Sequence, residues 1–122
     1  MNFNLTTIIT ENLEHMSDFY QQILQIEPQV FRDNYMMFAT DTASLALWRQ
    51  SEAEQFGLDV MRSAANASML IEFEVDNIDA EYQRLQRLPV EWLQKLTSFP
   101  WEMRAFYIRD PEGNIVNFYS PT

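Results

Sequence analysis

Residues 5–14, LTTIITENLE, and residues 70–79, LIEFEVDNID, carry one pattern twice, 65 positions apart. Each opens with a short run rich in β-branched and apolar residues, which reads as a strand. Each then reaches an asparagine, Asn12 or Asn77, whose side chain is suited to capping a helix. Leu5 matches Leu70, Ile8 matches Phe73, and Glu11-Asn12-Leu13-Glu14 matches Asp76-Asn77-Ile78-Asp79. An internal repeat of this length constrains the fold more than any single motif in the chain.

The same order of elements continues outward from both copies. After Asn12, the residues Leu13, Met16, Tyr20, Ile23 and Leu24 recur at helical spacing until Pro28. Three strands are then predicted, in PQVFR (28–32), YMMFAT (35–40) and SLALWR (44–49), with turns at Asp33-Asn34 and Asp41-Thr42. Residues 51–66 read as a long connection holding Phe56, Leu58, Val60 and Met61, with room for a helical turn. After Asn77, Asp79 and Glu81 favour the start of a second helix, and Tyr82, Leu85 and Leu88 continue it. Three more strands are predicted, in VEWLQKL (90–96), MRAFYIR (103–109) and IVNFYS (115–120). The last two are joined by Asp110-Pro111-Glu112-Gly113-Asn114, a run with strong turn chemistry.

Composition removes several function classes. The chain has 122 residues, 47% of them hydrophobic and 14% aromatic, enough for one packed domain. Eight basic and eighteen acidic residues leave a net charge of −10, which disfavours nucleic acid and anionic membrane surfaces as partners. With no cysteine, disulfides, thiolate metal sites and cysteine nucleophiles are excluded. The single histidine, His15, excludes a site built from two imidazoles of one chain. Two glycines, Gly57 and Gly113, cannot supply a glycine-rich phosphate loop. MNFNLTTIITENLEH lacks the basic and apolar regions of a secretory signal, so a cytoplasmic location is expected.

A paired strand-helix-three-strand unit with Phe19-Tyr20 in its first helix resembles the vicinal-oxygen-chelate superfamily. That group contains glyoxalase I, extradiol dioxygenases, fosfomycin-modifying enzymes and bleomycin-resistance proteins. Trp101-Glu102-Met103-Arg104, followed by Asp110-Pro111-Glu112-Gly113-Asn114, is similar to the family's ending. The resemblance implies an α+β fold: two βαβββ modules forming a cup-shaped mixed sheet with helices outside. The whole chain, 1–122, would be one such domain, with modules at about 3–49 and 68–120 and a connection at 50–67.

The resemblance also implies four metal-ligating positions, one in the first and one in the last strand of each half. They carry His, Gln or Glu in metal-dependent members. Matching on Asn12 and Asn77 puts Leu5 and Leu70 at the first-strand positions, and matching the last strands gives Leu47 and Asn117. Three leucines and one amide cannot hold a divalent ion. Their neighbours, Asn4, Thr6, Ala46, Trp48, Met69, Ile71, Val116 and Phe118, do not repair the set. His15 falls on the first helix and matches none of the four. No metal and no other cofactor is therefore expected.

Strand alternation then assigns an inward face for the cup. Leu70, Glu72 and Glu74 would point in, as would Ile115, Asn117 and Tyr119. Arg104, Phe106 and Ile108 would accompany them across the hairpin. Leu5, Thr7 and Ile9 would make one wall, and Leu45, Leu47 and Arg49 another. The ligand-binding set expected on this basis is Leu5, Leu47, Leu70, Glu72, Trp101, Arg104, Phe106, Asn117 and Tyr119. Glu72 and Arg104 either contact a ligand or pair with each other, since a buried carboxylate needs a partner. Trp101, Trp92 and Tyr35 are either stacking platforms or packing residues.

The function expected is metal-independent binding of an amphipathic, aromatic or cationic small molecule, in a homodimer of the bleomycin-resistance or glyoxalase type. Two alternatives stand beside it. One is a lyase, isomerase or dioxygenase-like enzyme with a non-standard site, for which Glu72 in an apolar cup would be the general base. The other is a ligand-sensing interaction module.

Overall fold

The computed structural model describes residues 1–57 and 60–122; Leu58 of the connection lies outside the described residues. The chain divides into two compact units, 1–65 and 66–122. Each contains one strand-helix-three-strand module, as the repeat predicts.

In the first unit, β1 (Leu5–Thr10) leads into α1 (Leu13–Leu24). The Asn12 side chain caps that helix by accepting from the His15 N–H at 3.3 Å. Leu13, Met16, Tyr20 and Ile23 form its buried stripe, while His15 is exposed. The helix stops three residues before Pro28, where Gln25 takes a left-handed conformation and its N–H bonds to the Gln21 carbonyl. β2 (Gln29–Arg32), β3 (Tyr35–Ala39) and β4 (Ser44–Arg49) follow as expected. The connection begins with a short helix, α2 (Gln50–Gln55). The sheet order is β1-β4-β3-β2, with β4 parallel to β1 and the other pairs antiparallel.

The second unit repeats this order. β5 (Leu70–Glu74) precedes α3 (Ile78–Leu85), capped by Asn77 through the Ala80 N–H at 3.0 Å. Leu88 does not continue the helix, contrary to the helical pattern. It sits in a turn and donates to the Leu85 carbonyl at 3.0 Å, because Pro89 disfavours helical backbone in the residue before it. β6 (Glu91–Phe99) extends past Leu96 and stops before Pro100, with two irregularities in register. β7 (Met103–Arg109) and β8 (Ile115–Pro121) complete the sheet, ordered β5-β8-β7-β6 with β8 parallel to β5.

The turn from Asp110 to Asn114 is held by its own carboxylate. Asp110 Oδ1 accepts from the N–H groups of Glu112 and Asn114, both at 2.9 Å, and Asn114 Nδ2 donates to Oδ2 at 2.7 Å. Gly113 occupies left-handed space at φ 87°, the reason this position is a glycine. Five residues thus separate the register partners Arg109 and Ile115, so odd-numbered residues of β7 lie beside odd-numbered residues of β8.

Each sheet has one face on its helix and one face turned away from it. In the first unit, Tyr20 of α1 meets Phe38 with ring centres 6.3 Å apart, and Phe38 is the register partner of Leu45. In the second, Tyr82 of α3 and Trp92 of β6 each lie within 5.4 Å of Phe106, whose ring also stacks on Phe118 at 5.3 Å. No helix among the described residues is long and apolar enough to cross a membrane.

Two substitutions test this packing. Phe106→Ala empties the centre of the second helix-side core and should lower the unfolding free energy by about 3–5 kcal/mol in urea titration. Gly113→Ala should lower it by about 1–2 kcal/mol through left-handed backbone alone, since no atom lies within 4 Å of the added Cβ.

Candidate functional site

The registers decide which side chains share the face away from the helix. In the first unit, Arg32 pairs with Tyr35, Tyr35 with Trp48, and Trp48 with Ile9. These four residues form one row across all four strands, opposite the face that packs on α1. Thr7 and Ala46 are partners in a row nearer the start of β1. A cavity of about 430 Å³ lies over this face, lined by Thr7, Ile9, Arg32, Tyr35, Trp48 and Met61.

The charged end of the row is anchored from beyond the sheet. Arg32 Nε donates to Glu52 Oε1 of α2 at 2.7 Å, and its guanidinium lies 5.1 Å from the Tyr35 ring centre. The hydrogen bond from Arg32 holds the Glu52 carboxyl below its ordinary range, against the opposing effect of burial. Asn34 and Trp48 lower it further. The opposite end of the row is hydrocarbon, at Ile9.

The walls expected from β4 are corrected by this register. Leu45, Leu47 and Arg49 lie on the helix side with Ile8 and Phe38, and Leu47 is fully buried there. Arg49 reaches Glu14 of α1 at 2.5 Å and Asn34 at 2.8 Å, tying helix, sheet and turn together. The Arg49 hydrogen bond accordingly lowers the Glu14 pKa. Ser44, Ala46 and Trp48 occupy the face away from α1. The β4 position equivalent to Asn117 is therefore Ala46, because Leu5 pairs with Ser44 as Leu70 pairs with Ile115.

In the second unit, Leu70, Glu72, Asn117 and Tyr119 share the face away from α3, in the alternation expected of them. Asn117 Nδ2 donates to Glu72 Oε1 at 2.8 Å. Asn117 is only 1% exposed, and its Oδ1 has no hydrogen-bond partner among the described residues. Tyr107, the β7 partner of Asn117, extends this row. Phe99 touches Tyr107 edge-on at 6.5 Å, and Trp101 stacks on Phe99 at 4.8 Å while remaining 62% exposed. Leu5 and Leu70 are also partly open, at 39% and 47% exposure.

Arg104 and Phe106 are not on this face, a second correction. They lie with Ile108 on the helix side, because the five-residue turn pairs Tyr107 with Asn117 and Phe106 with Phe118. Arg104 Nη1 donates to Asp79 Oδ2 of α3 at 2.8 Å, which raises the Arg104 pKa, and it does not pair with Glu72. Phe106 is core. Trp92 is likewise packed against Tyr82 and Phe106, whereas Tyr35 lines the cavity. Glu72 is exposed rather than set in apolar surroundings, so the general-base rationale offered for it lacks its premise.

Residues missed in the sequence are Arg32 and Glu52. They are 20 positions apart, and Glu52 falls in a polar stretch whose short helix carries no distinguishing motif. No spacing rule joins them; the pairing exists only once α2 is placed beside the sheet.

The family model of the glyoxalase-like domain matches residues 3–121. The chain belongs to the glyoxalase-like domain family. It is thereby a member of the vicinal-oxygen-chelate superfamily. A glyoxalase/bleomycin resistance protein/dioxygenase family enzyme from Burkholderia phytofirmans superposes with a TM-score of 0.87 at 16% identity, covering 100% of both chains. A glyoxalase/bleomycin resistance protein/dioxygenase from Nocardioides gives 0.83 at 21% identity, covering 99% of this chain and 83% of its own. Lactoylglutathione lyase from Agrobacterium tumefaciens gives 0.76 at 20% identity, covering 97% and 92%. At these identities the likeness is one of fold. No curated protein matches the sequence.

The superfamily's metal does not fit this glyoxalase-like chain. The positions concerned are Leu5, Ala46, Leu70 and Asn117, three hydrocarbon side chains and an amide. Among the described residues, no group of three or more His, Asp or Glu is arranged to hold a metal ion.

The Arg32–Glu52 pair has a pH signature. A depressed folded-state pKa contributes stability above the unfolded value, near 4.5, and loses it as pH falls through the folded value. Glu52→Gln should therefore lower the melting temperature at pH 7, with the gap from wild type closing as pH approaches 3. Thermal unfolding of both proteins across that range checks the sign.

Proposed function

We propose that this glyoxalase-like protein binds a small amphipathic or aromatic molecule without a metal, in the half-open cavity over the face of its first sheet. The observation that carries the reading is the cavity of about 430 Å³ floored by Trp48 and Tyr35. Its size falls in the range of small-molecule sites, and its lining joins apolar surface to a few placed polar groups. Leucine, alanine and amide at the superfamily's ligand positions support the metal-independent part. The reading includes a cytoplasmic homodimer; Val30 and Phe31, 64% and 56% exposed on edge strand β2, support association.

Metal analysis and a ligand screen test it together. The purified protein should hold no stoichiometric nickel, zinc, manganese or iron, and its melting temperature should not respond to chelator. In a thermal-shift panel of flat aromatic compounds, binders should raise the melting temperature. Trp48→Ala should weaken those binders by about tenfold or more. A stoichiometric metal, or a panel without binders, would contradict the proposal.

A further inference from the structure

We infer that the ligand of this cavity is a planar organic acid, its carboxylate held by Arg32 and its ring system lying over Tyr35 and Trp48. The inference rests on the small-molecule reading above and adds the charge and shape of the ligand. Its basis is the polarity of the row Ile9–Trp48–Tyr35–Arg32. Neighbouring strands lie about 4.8 Å apart, so the row extends about 14 Å from hydrocarbon at Ile9 to cation at Arg32. From Trp48 to Arg32 is about 10 Å by the same spacing, the length of a two-ring acid.

Arg32 is held in a way suited to this task. Its Nε is occupied by Glu52, and the Tyr35 ring supports its guanidinium. Among the described residues, its two terminal nitrogens have no partner, and the side chain is 50% exposed where it lines the cavity. A guanidinium presents paired N–H donors that match a carboxylate in geometry and charge. Glu52 is then a positioning residue: it fixes the fork and touches no ligand. Among the described residues that line the cavity, Arg32 is the one cation and none is a carboxylate. Against those described residues, a cationic ligand would meet the guanidinium without a facing anion.

The second module makes the contrast. Its row equivalent to Ile9 and Trp48 holds Glu74 and Tyr119, with Ala105 and Thr97 beyond. The two halves share one backbone plan, yet only the first places an arginine at the end of an aromatic row.

The test compares three isosteres by isothermal titration with the wild-type protein: naphthoate, naphthalenemethanol and naphthylmethylammonium. Naphthoate should bind about tenfold more tightly than either of the others. In Arg32→Met, shown to be folded by circular dichroism, the ratio of acid to alcohol affinity should fall to about one. Glu52→Gln should reduce the advantage without removing it, and Arg32→Lys should recover only part of it. Equal affinities, preference for the ammonium, or an acid preference that survives Arg32→Met would each overturn the inference and leave the small-molecule reading standing. If none of the three binds, the inference is overturned; the broader reading falls only if the aromatic panel also yields no binder.

Discussion

The parallel pairing of the first strand with the last in each module is the constraint on which the remaining structure depends. β1 lies beside β4, and β5 beside β8, although a helix and two strands intervene in the chain. Closing the unit this way places the helix across one face, since a parallel connection needs a long crossover. It also fixes register. Once Leu5 lies beside Ser44 and Leu70 beside Ile115, every side chain of the module belongs to the helix side or to the other side. A shift of one residue would exchange the two sets.

That division separates stability from binding. The helix sides hold Tyr20, Phe38 and Leu47 in one unit and Phe106, Val116 and Phe118 in the other, all nearly inaccessible to water. Charges on those sides are consumed locally: Arg49 by Glu14, Arg104 by Asp79. The faces turned away carry the polar and aromatic groups that the cores do not need. Duplication has kept the backbone plan while these faces diverged, toward Arg32 with Trp48 in the first and toward Glu72 with Asn117 in the second. A scaffold whose metal positions hold leucine and alanine thus retains a shaped apolar surface, and the proposed function uses that surface alone.

The element order was legible because it rests on local signals: asparagine caps, a helical stripe, and the DPEGN turn. The faces of β1, β5 and β8 were legible too. The faces of β4 and β7 were not, and the reason is specific. In SLALWR, Leu45 and Leu47 alternate with Ala46 and Trp48, and in MRAFYIR, Phe106 and Ile108 alternate with Ala105 and Tyr107. Both alternating sets are apolar, so alternation alone does not choose between them. Arg104 resembled a ligand contact because its partner, Asp79, sits 25 positions earlier on a helix whose placement the sequence does not display. The Arg32–Glu52 pair was invisible for the same reason.

The most direct measurement is a map of chemical-shift changes in the isotope-labelled protein as naphthoate is added. Saturable changes are expected, concentrated at the Trp48 indole, the Tyr35 ring, the Thr7 and Ile9 methyl groups and the Arg32 guanidinium. Changes confined to residues 66–122, or centred on the helix-side cores, would contradict it.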